Sequence, residues 1–180
     1  MDKKRRRRIL AAVLVLCIMA GMAAWPEGAQ RVQAEELTYG DFAYEVLEDG
    51  TVSVTKYTGM DAEVTVPDVI DGKSVTEIGG AAFSDCGNIT RITLPSVLKC
   101  INIDEDSNGQ NGAFSHCTKL TEIVIPDGVT VIGERAFMGC SSLEEIVFPD
   151  NVTSIQLAAF SYCAGLKKVI IPNGLLSFSP

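Results

Sequence analysis

Apolar and polar residues alternate in short bursts along most of this chain. In "LEEIVF" (143–148), Ile146 and Phe148 fall on one side and Glu145 and Val147 on the other, the period-two signature of a half-buried strand. Pro149 follows at once and ends the strand, because proline has no amide to donate to a ladder. "DNVT" then reads as a turn and "VTSI" as a second short extended piece. "AAFSYC" reads as one helical turn, since Phe160 and Cys163 stand three residues apart and would share a face.

The same order of elements recurs. Residues 120–142, "LTEIVIPDGVTVIGERAFMGCSS", align with 143–165, "LEEIVFPDNVTSIQLAAFSYCAG", and a further copy starts at 166 as "LKKVIIPNGLLSFSP". Phe114, Phe137 and Phe160 lie 23 residues apart, as do Pro126, Pro149 and Pro172. Earlier copies are looser: the one at 88–117 carries eight extra residues between Pro95 and Phe114. A period in this range with an L-x-x-I-x-I core predicts a leucine-rich-repeat solenoid. The predicted fold is mainly β, with ~23-residue coils over 62–180, each contributing short parallel strands and a short helical turn. A single coil cannot bury its own apolar face, so the coils must stack and share one core. The last copy stops within a repeat, and the chain reads as truncated there.

Ahead of the repeats, "YGDFAYEVLEDGTVSVTKYTG" (39–59) holds two alternating runs around Glu48-Asp49-Gly50. That is a β-hairpin signal, and residues 35–61 are the predicted amino-terminal cap on the first coil.

The cysteines follow the repeat. "AFSDC", "AFSHC", "AFMGC" and "AFSYC" place Cys86, Cys117, Cys140 and Cys163 three residues after a phenylalanine each time. Stacked coils would set each Phe on the next Phe and each Cys on the next Cys about 4.7–4.9 Å apart, wider than the roughly 3.8 Å between Cβ atoms that a disulfide prefers. The phrase therefore reads as a core ladder of free thiols, ahead of a disulfide framework or a metal site. The single histidine, His116, and the lack of local cysteine pairs weigh against metal. Cys100 stands where other copies have Val131 and Ser154 and is the candidate reactive thiol.

The start of the chain has a different character. Lys3 to Arg8 form a basic head, an uncharged and mostly apolar run reaches to Glu27, and "VQA" closes a polar stretch. This is the layout of a secretory signal peptide over 1–34, cut after Ala34. The competing reading is an uncleaved membrane anchor, because the run is about long enough to cross a bilayer. Cys17 lies inside the run behind Leu16 and does not fit a lipid-attachment cysteine. Residues 1–34 hold 7 of the 15 bases and 2 of the 23 acids, which leaves 8 bases, 21 acids and a net charge of −13 on residues 35–180. Such acidity disfavours nucleic acid and anionic membranes as partners and suits an exported soluble domain. Within the insert at 102–112, Asp104-x-Asp106-x-Asn108-Gly109 matches the first half of a calcium loop. Ser115 holds the position where the bidentate Glu belongs, so the insert reads as a solvated acidic loop.

Taken together, "YGDFAYEVLEDGTVSVTKYTG", "VTVPDVIDGKSVTEIGGAAFSDC" and "LTEIVIPDGVTVIGERAFMGC" closely resemble the BspA-like leucine-rich repeat family of bacterial surface proteins, over about residues 37–176. Gln156-Leu157 in place of glycine, the insert and the incomplete last repeat depart from its pattern. The resemblance implies export by a bacterium and adhesion to host or microbial surfaces. The expected role is therefore a secreted or cell-surface binding module for extracellular proteins or surface components. A passive spacer, or a fragment of a larger surface protein, is the alternative. No membrane contact is expected beyond the possible anchor.

The candidate partner-binding face consists of two outward columns. One is Arg91, Glu122, Glu145 and Lys168, in which the first and last neighbours carry opposite charge. The other is Thr93, Val124, Val147 and Ile170, an apolar stripe on a solvent face. The charges also read as register pairs, and the β-branched residues as strand formers. No catalytic residue, cofactor or metal is expected. The sequence has no G-x-S-x-G, Gly-rich phosphate loop or H-E-x-x-H.

Overall fold

The computed structural model describes residues 37–102 and 111–178, which belong to one compact unit, Leu37–Pro180. The expected signal peptide or anchor, Cys17 and the acidic triplet Asp104, Asp106 and Asn108 lie outside the described residues.

Three strands open the unit: β1 (Leu37–Tyr39), β2 (Phe42–Val46) and β3 (Val52–Tyr57). They pair antiparallel in that order, with β2 and β3 forming the expected hairpin. Its turn is closed by the Leu47 amide donating to the Thr51 carbonyl at 2.8 Å. Gly50 in this turn takes φ +83°, the left-handed region that glycine enters without steric cost.

After the hairpin the chain coils. Each coil contributes an outer strand from the L-x-x-I segment: β4 (Glu63–Thr65), β7 (Arg91–Thr93), β9 (Glu122–Ile123), β11 (Glu145–Val147) and β13 (Lys168–Ile170). Each also contributes a strand from the second extended piece: β6 (Lys73–Ile78), β8 (Cys100–Ile101), β10 (Val131–Ile132), β12 (Ser154–Ile155) and β14 (Ser177–Phe178). A short β5 (Val69–Ile70) pairs antiparallel with β6. Between the two strands of a coil the proline carbonyl closes a tight turn, accepting from Leu98, Val129 and Val152 in the coils of Pro95, Pro126 and Pro149.

The two sets of strands behave differently. The second pieces join the hairpin in one nine-stranded sheet, β1-β2-β3-β6-β8-β10-β12-β14 with β5 at its side, and from β3 onward along the path its neighbours run parallel. Their register stacks Ile78, Ile101, Ile132, Ile155 and Phe178, and sets Cys100 opposite Val131, which faces Ser154. The outer strands instead form two separate ladders, β4-β7-β9 and β11-β13. The continuous sheet is thus the one built from two-residue strands, and the L-x-x-I face is interrupted.

The core runs along the axis between these faces. Phe83, Phe114, Phe137 and Phe160 stack with centroids 5.2, 5.2 and 5.4 Å apart and interplanar angles of 16°, 13° and 8°. Tyr57 of the hairpin continues the stack, 5.5 Å from Phe83, and its amide donates to the Ala82 carbonyl at 2.7 Å. The hairpin therefore caps the first coil by extending both its aromatic column and its backbone ladder. Inward residues Ile92, Ile123 and Ile146 are buried, while their equivalent in β13, Val169, is 41% exposed, because no described coil covers that side.

The A-F-x-x-C phrase corrects one expectation. It is not a helical turn; among the described residues no helix is present. The residue before each cysteine is left-handed, with φ of 60° at Asp85, 59° at His116, 75° at Gly139 and 61° at Tyr162, and this breaks any helical run. The amides turn outward along the axis instead. Phe83 donates to Ala113 (2.7 Å) and Asp85 to Ser115 (2.8 Å), and the pattern repeats from Phe114 to Ala136 and from Phe137 to Ala159. The phrase is a stack of tight turns with a ladder of its own.

Close packing of the coils leaves no room for a side chain at several glycines, Gly133 most of all. A Cβ on Gly133 would lie 1.5 Å from the Asn102 carbonyl oxygen of the preceding coil. One coil on, Gln156 takes the same place without disturbing the pairing of β12 with β10 and β14. Its side chain turns outward and accepts from the Glu134 amide at 3.1 Å.

Candidate functional site

The cysteines belong to the core. All five in the described residues are free, and Cys117 and Cys140 are fully buried. Three of the thiols donate to the carbonyl of the phenylalanine one coil back: Cys117 to Phe83 at 3.1 Å, Cys140 to Phe114 at 3.2 Å and Cys163 to Phe137 at 3.0 Å. Burial pushes Cys140 up to about 12 and Cys117 higher still, because a thiolate there would lose its water. Cys100, the expected reactive thiol, is half-buried, and burial and then the Glu77 carboxylate raise it too. It is therefore not an activated thiolate. Among the described residues, no group of three or more His, Cys, Asp or Glu side chains is placed to hold a metal ion.

The eight residues of the expected face come together on the L-x-x-I side, and all eight are exposed. Alternation explains why: in β7 and β11 the central isoleucine points into the core, so its two neighbours point out. Arg91 pairs with Glu122 across neighbouring strands, Nη2 to Oε2 at 2.9 Å, and Lys168 pairs with Glu145, Nζ to Oε1 at 2.7 Å. Beside the second pair, Lys167 meets Glu144 at 2.9 Å. In the apolar column Val124 is 70% exposed, Val147 47% and Ile170 41%.

The columns also reach one coil further than the sequence reading placed them. Glu63 and Thr65 of β4 stand in register with Arg91 and Thr93. The signal was present in "AEVTVPD" (62–68), which aligns with "TRITLPS" (90–96).

The interruption between β9 and β11 falls in the middle of this face. Thr121 donates to the Thr90 carbonyl at 3.0 Å and Lys167 to the Glu144 carbonyl at 2.8 Å, but no such rung joins Thr121 to Glu144. A solvent-open depression of about 530 Å³ occupies the place, lined by Glu122, Val124, Asp127, Glu144, Glu145 and Val147 among others. The break coincides with a break in the alternation of charge. Along the column the signs run minus at Glu63, plus at Arg91, minus at Glu122, then minus again at Glu145 and plus at Lys168. Like charges directly across a ladder are destabilising, and each of the two central glutamates is drawn to the cation on its outer side. On the opposite face β10 and β12 stay in register, so the ladder is lost on one side only.

Comparison with known proteins agrees with this architecture. Residues 107–180 match the model of the BspA type leucine rich repeat region (6 copies). Among solved structures, a leucine-rich repeat protein from Bacteroides capillosus is 26% identical with a TM-score of 0.64, over 76% of this chain and 98% of that one. A leucine rich repeat protein of T. pallidum is 28% identical with a TM-score of 0.56, over 77% and 72%. A leucine rich cell surface protein from Faecalibacterium prausnitzii is 28% identical with a TM-score of 0.58, over 79% of this chain but 44% of its own length. No curated protein matches.

Proposed function

From a chain that carries a BspA-type leucine-rich repeat array, stacked in the manner of bacterial leucine-rich repeat proteins, we propose a non-catalytic protein-binding module that acts in adhesion at the cell surface. The observation that carries the reading is the apolar column Val124, Val147 and Ile170, all exposed on the L-x-x-I side and bordered by charge. Exposed apolar surface rimmed by polar residues is what protein interaction sites present, and a rigid solenoid is a natural platform for it. Export is supported by the basic head and apolar run at the start of the chain, and surface residence by the likeness to a leucine rich cell surface protein from Faecalibacterium prausnitzii.

A spacer role is favoured by a different observation. The Arg91–Glu122 and Lys168–Glu145 pairs tie neighbouring coils together whether or not anything binds them.

The test uses residues 35–180 and the triple variant Val124→Asp, Val147→Asp, Ile170→Asp, both checked for folding by circular dichroism. Each is passed over a panel of immobilised extracellular-matrix proteins. Saturable binding that the variant loses supports the adhesive face. A folded wild type that binds nothing, or a variant that binds as well, favours the spacer.

A further inference from the structure

The depression between β9 and β11 has a chemistry of its own. Four carboxylates, Glu122, Asp127, Glu144 and Glu145, and two exposed valines, Val124 and Val147, line it. The cations that pair with three of these acids, Arg91, Lys167 and Lys168, belong to the outer neighbouring coils, and none of them lines the opening. Between Glu122 and Glu145 the alternation of sign that runs through the column lacks one positive charge.

We propose that this opening receives a Lys or Arg side chain of an extended, basic protein segment, whose neighbouring apolar side chains rest on Val124 and Val147. The inference rests on the adhesive reading of the same face and names the partner's chemistry. Charge complementarity selects the occupant. The face around the opening is acidic, and the chain from residue 35 onward carries a net charge of −13, so a basic partner is also steered toward it. A protein cation fits better than a metal ion, because no described cluster of side chains has a metal-holding arrangement. A guanidinium or ammonium placed between Glu122 and Glu145 can donate to both carboxylates at once. It would also supply the positive charge that the column lacks between Glu122 and Glu145.

The experiment is calorimetric titration of residues 35–180, at low and moderate salt, with an acetylated peptide of alternating lysine and valine. A twin peptide with glutamate for lysine and calcium chloride alone serve as comparison probes. The basic peptide should bind at least about tenfold more tightly than its acidic twin, and more weakly as salt rises. The double variant Glu122→Gln, Glu145→Gln should lose at least about tenfold in affinity. A second double variant, Glu134→Gln with Asp85→Asn, makes the same change in net charge at residues that do not line the opening and should bind as wild type does. Equal loss in both variants, equal binding of the two peptides, or calcium binding that the Glu122/Glu145 variant abolishes would overturn the proposal. If the triple aspartate variant still loses matrix-protein binding while the basic peptide shows no preference, the adhesive face stands and only the basic-segment inference falls.

Discussion

Removing one ring from the aromatic column tests whether the coils share a core. Phe137 is fully buried and stacks on two sides, 5.2 Å from Phe114 and 5.4 Å from Phe160. Phe160 stacks on Phe137 at 5.4 Å, meets Phe148 edge-on at 5.6 Å and is only partly buried. Deleting a buried phenylalanine side chain costs about 3–5 kcal/mol, from lost transfer energy and the cavity left behind. Each aromatic pair adds about 0.5–1.5 kcal/mol beyond its area. Phe137→Ala should therefore fall at the top of the range, about 4–5 kcal/mol. Phe160→Ala leaves a site that opens to water rather than a closed cavity, so about half that cost is expected.

Urea and thermal unfolding of residues 35–180, wild type and both variants, measure the difference. For a domain near this size a loss of 1 kcal/mol lowers Tm by about 2–4 °C, so Phe137→Ala should drop it by about 8–20 °C and Phe160→Ala by roughly half as much. Phe137→Leu keeps apolar volume while losing the stacks, and should cost about 1–2 kcal/mol. If the two alanine variants lose the same stability, the column is a row of independent contacts and the shared-core reasoning fails.

Two further perturbations probe the spacing of the coils and the thiol ladder. Gly133→Ala forces a Cβ against the Asn102 carbonyl oxygen of the neighbouring coil and should destabilise by about 3 kcal/mol or more, beyond ordinary overpacking; Gly87→Ala, which meets only the Thr118 hydroxyl at 3.3 Å, should change the urea midpoint little. Burial holds Cys140 up to about 12 against an ordinary thiol value near ~8.5. As pH rises between these values the unfolded chain sheds the proton that the fold retains. The stability from this thiol is thus complete below about pH 8.5 and is lost toward pH 12, by about 1.4 kcal/mol per unit. Urea midpoints at pH 8 and 10 should fall less for Cys140→Ser than for wild type, and equal falls would contradict the assignment.

What could be read in the sequence was whatever recurs every 23 residues in a fixed chemical type. The Phe ladder, the prolines that end the outer strands and the outward columns all repeat identity or character, so their stacking followed from the period. Conformation written by a position that tolerates many residue types did not. Asp85, His116, Gly139 and Tyr162 share a left-handed backbone but no chemistry, and the Phe-x-x-Cys spacing suits a helix and a pair of tight turns equally. The two-residue strands Cys100–Ile101, Val131–Ile132 and Ser154–Ile155 were also too short for alternation to announce a sheet, yet they carry the ladder that never breaks. The interruption between β9 and β11 falls where Glu122 and Glu145 follow one another in the column without an intervening base. It could be seen only once the coils were known to bring those residues into line.

This division between the two faces bears on how the molecule can bind at all. A solenoid held together equally on every side could not part its coils without losing its core. Here the burden falls on one side: β6, β8, β10, β12 and β14 run in unbroken register, and the Phe stack and the Cys-to-carbonyl bonds lie inside it. The L-x-x-I face carries exposed ion pairs, which contribute about 0–1 kcal/mol each. Its ladder breaks between Glu122 and Glu145 while the register of Val131 with Ser154 and Ile132 with Ile155 holds. A partner of the proposed kind would meet strands already positioned by the other face, so little chain ordering would count against its affinity. The same reasoning predicts where variation is tolerated. Charge and side-chain changes at Arg91, Glu122, Glu145 and Lys168 should leave the fold intact and alter what it binds, whereas changes at Ile101, Ile132 or Ile155 should alter the fold itself.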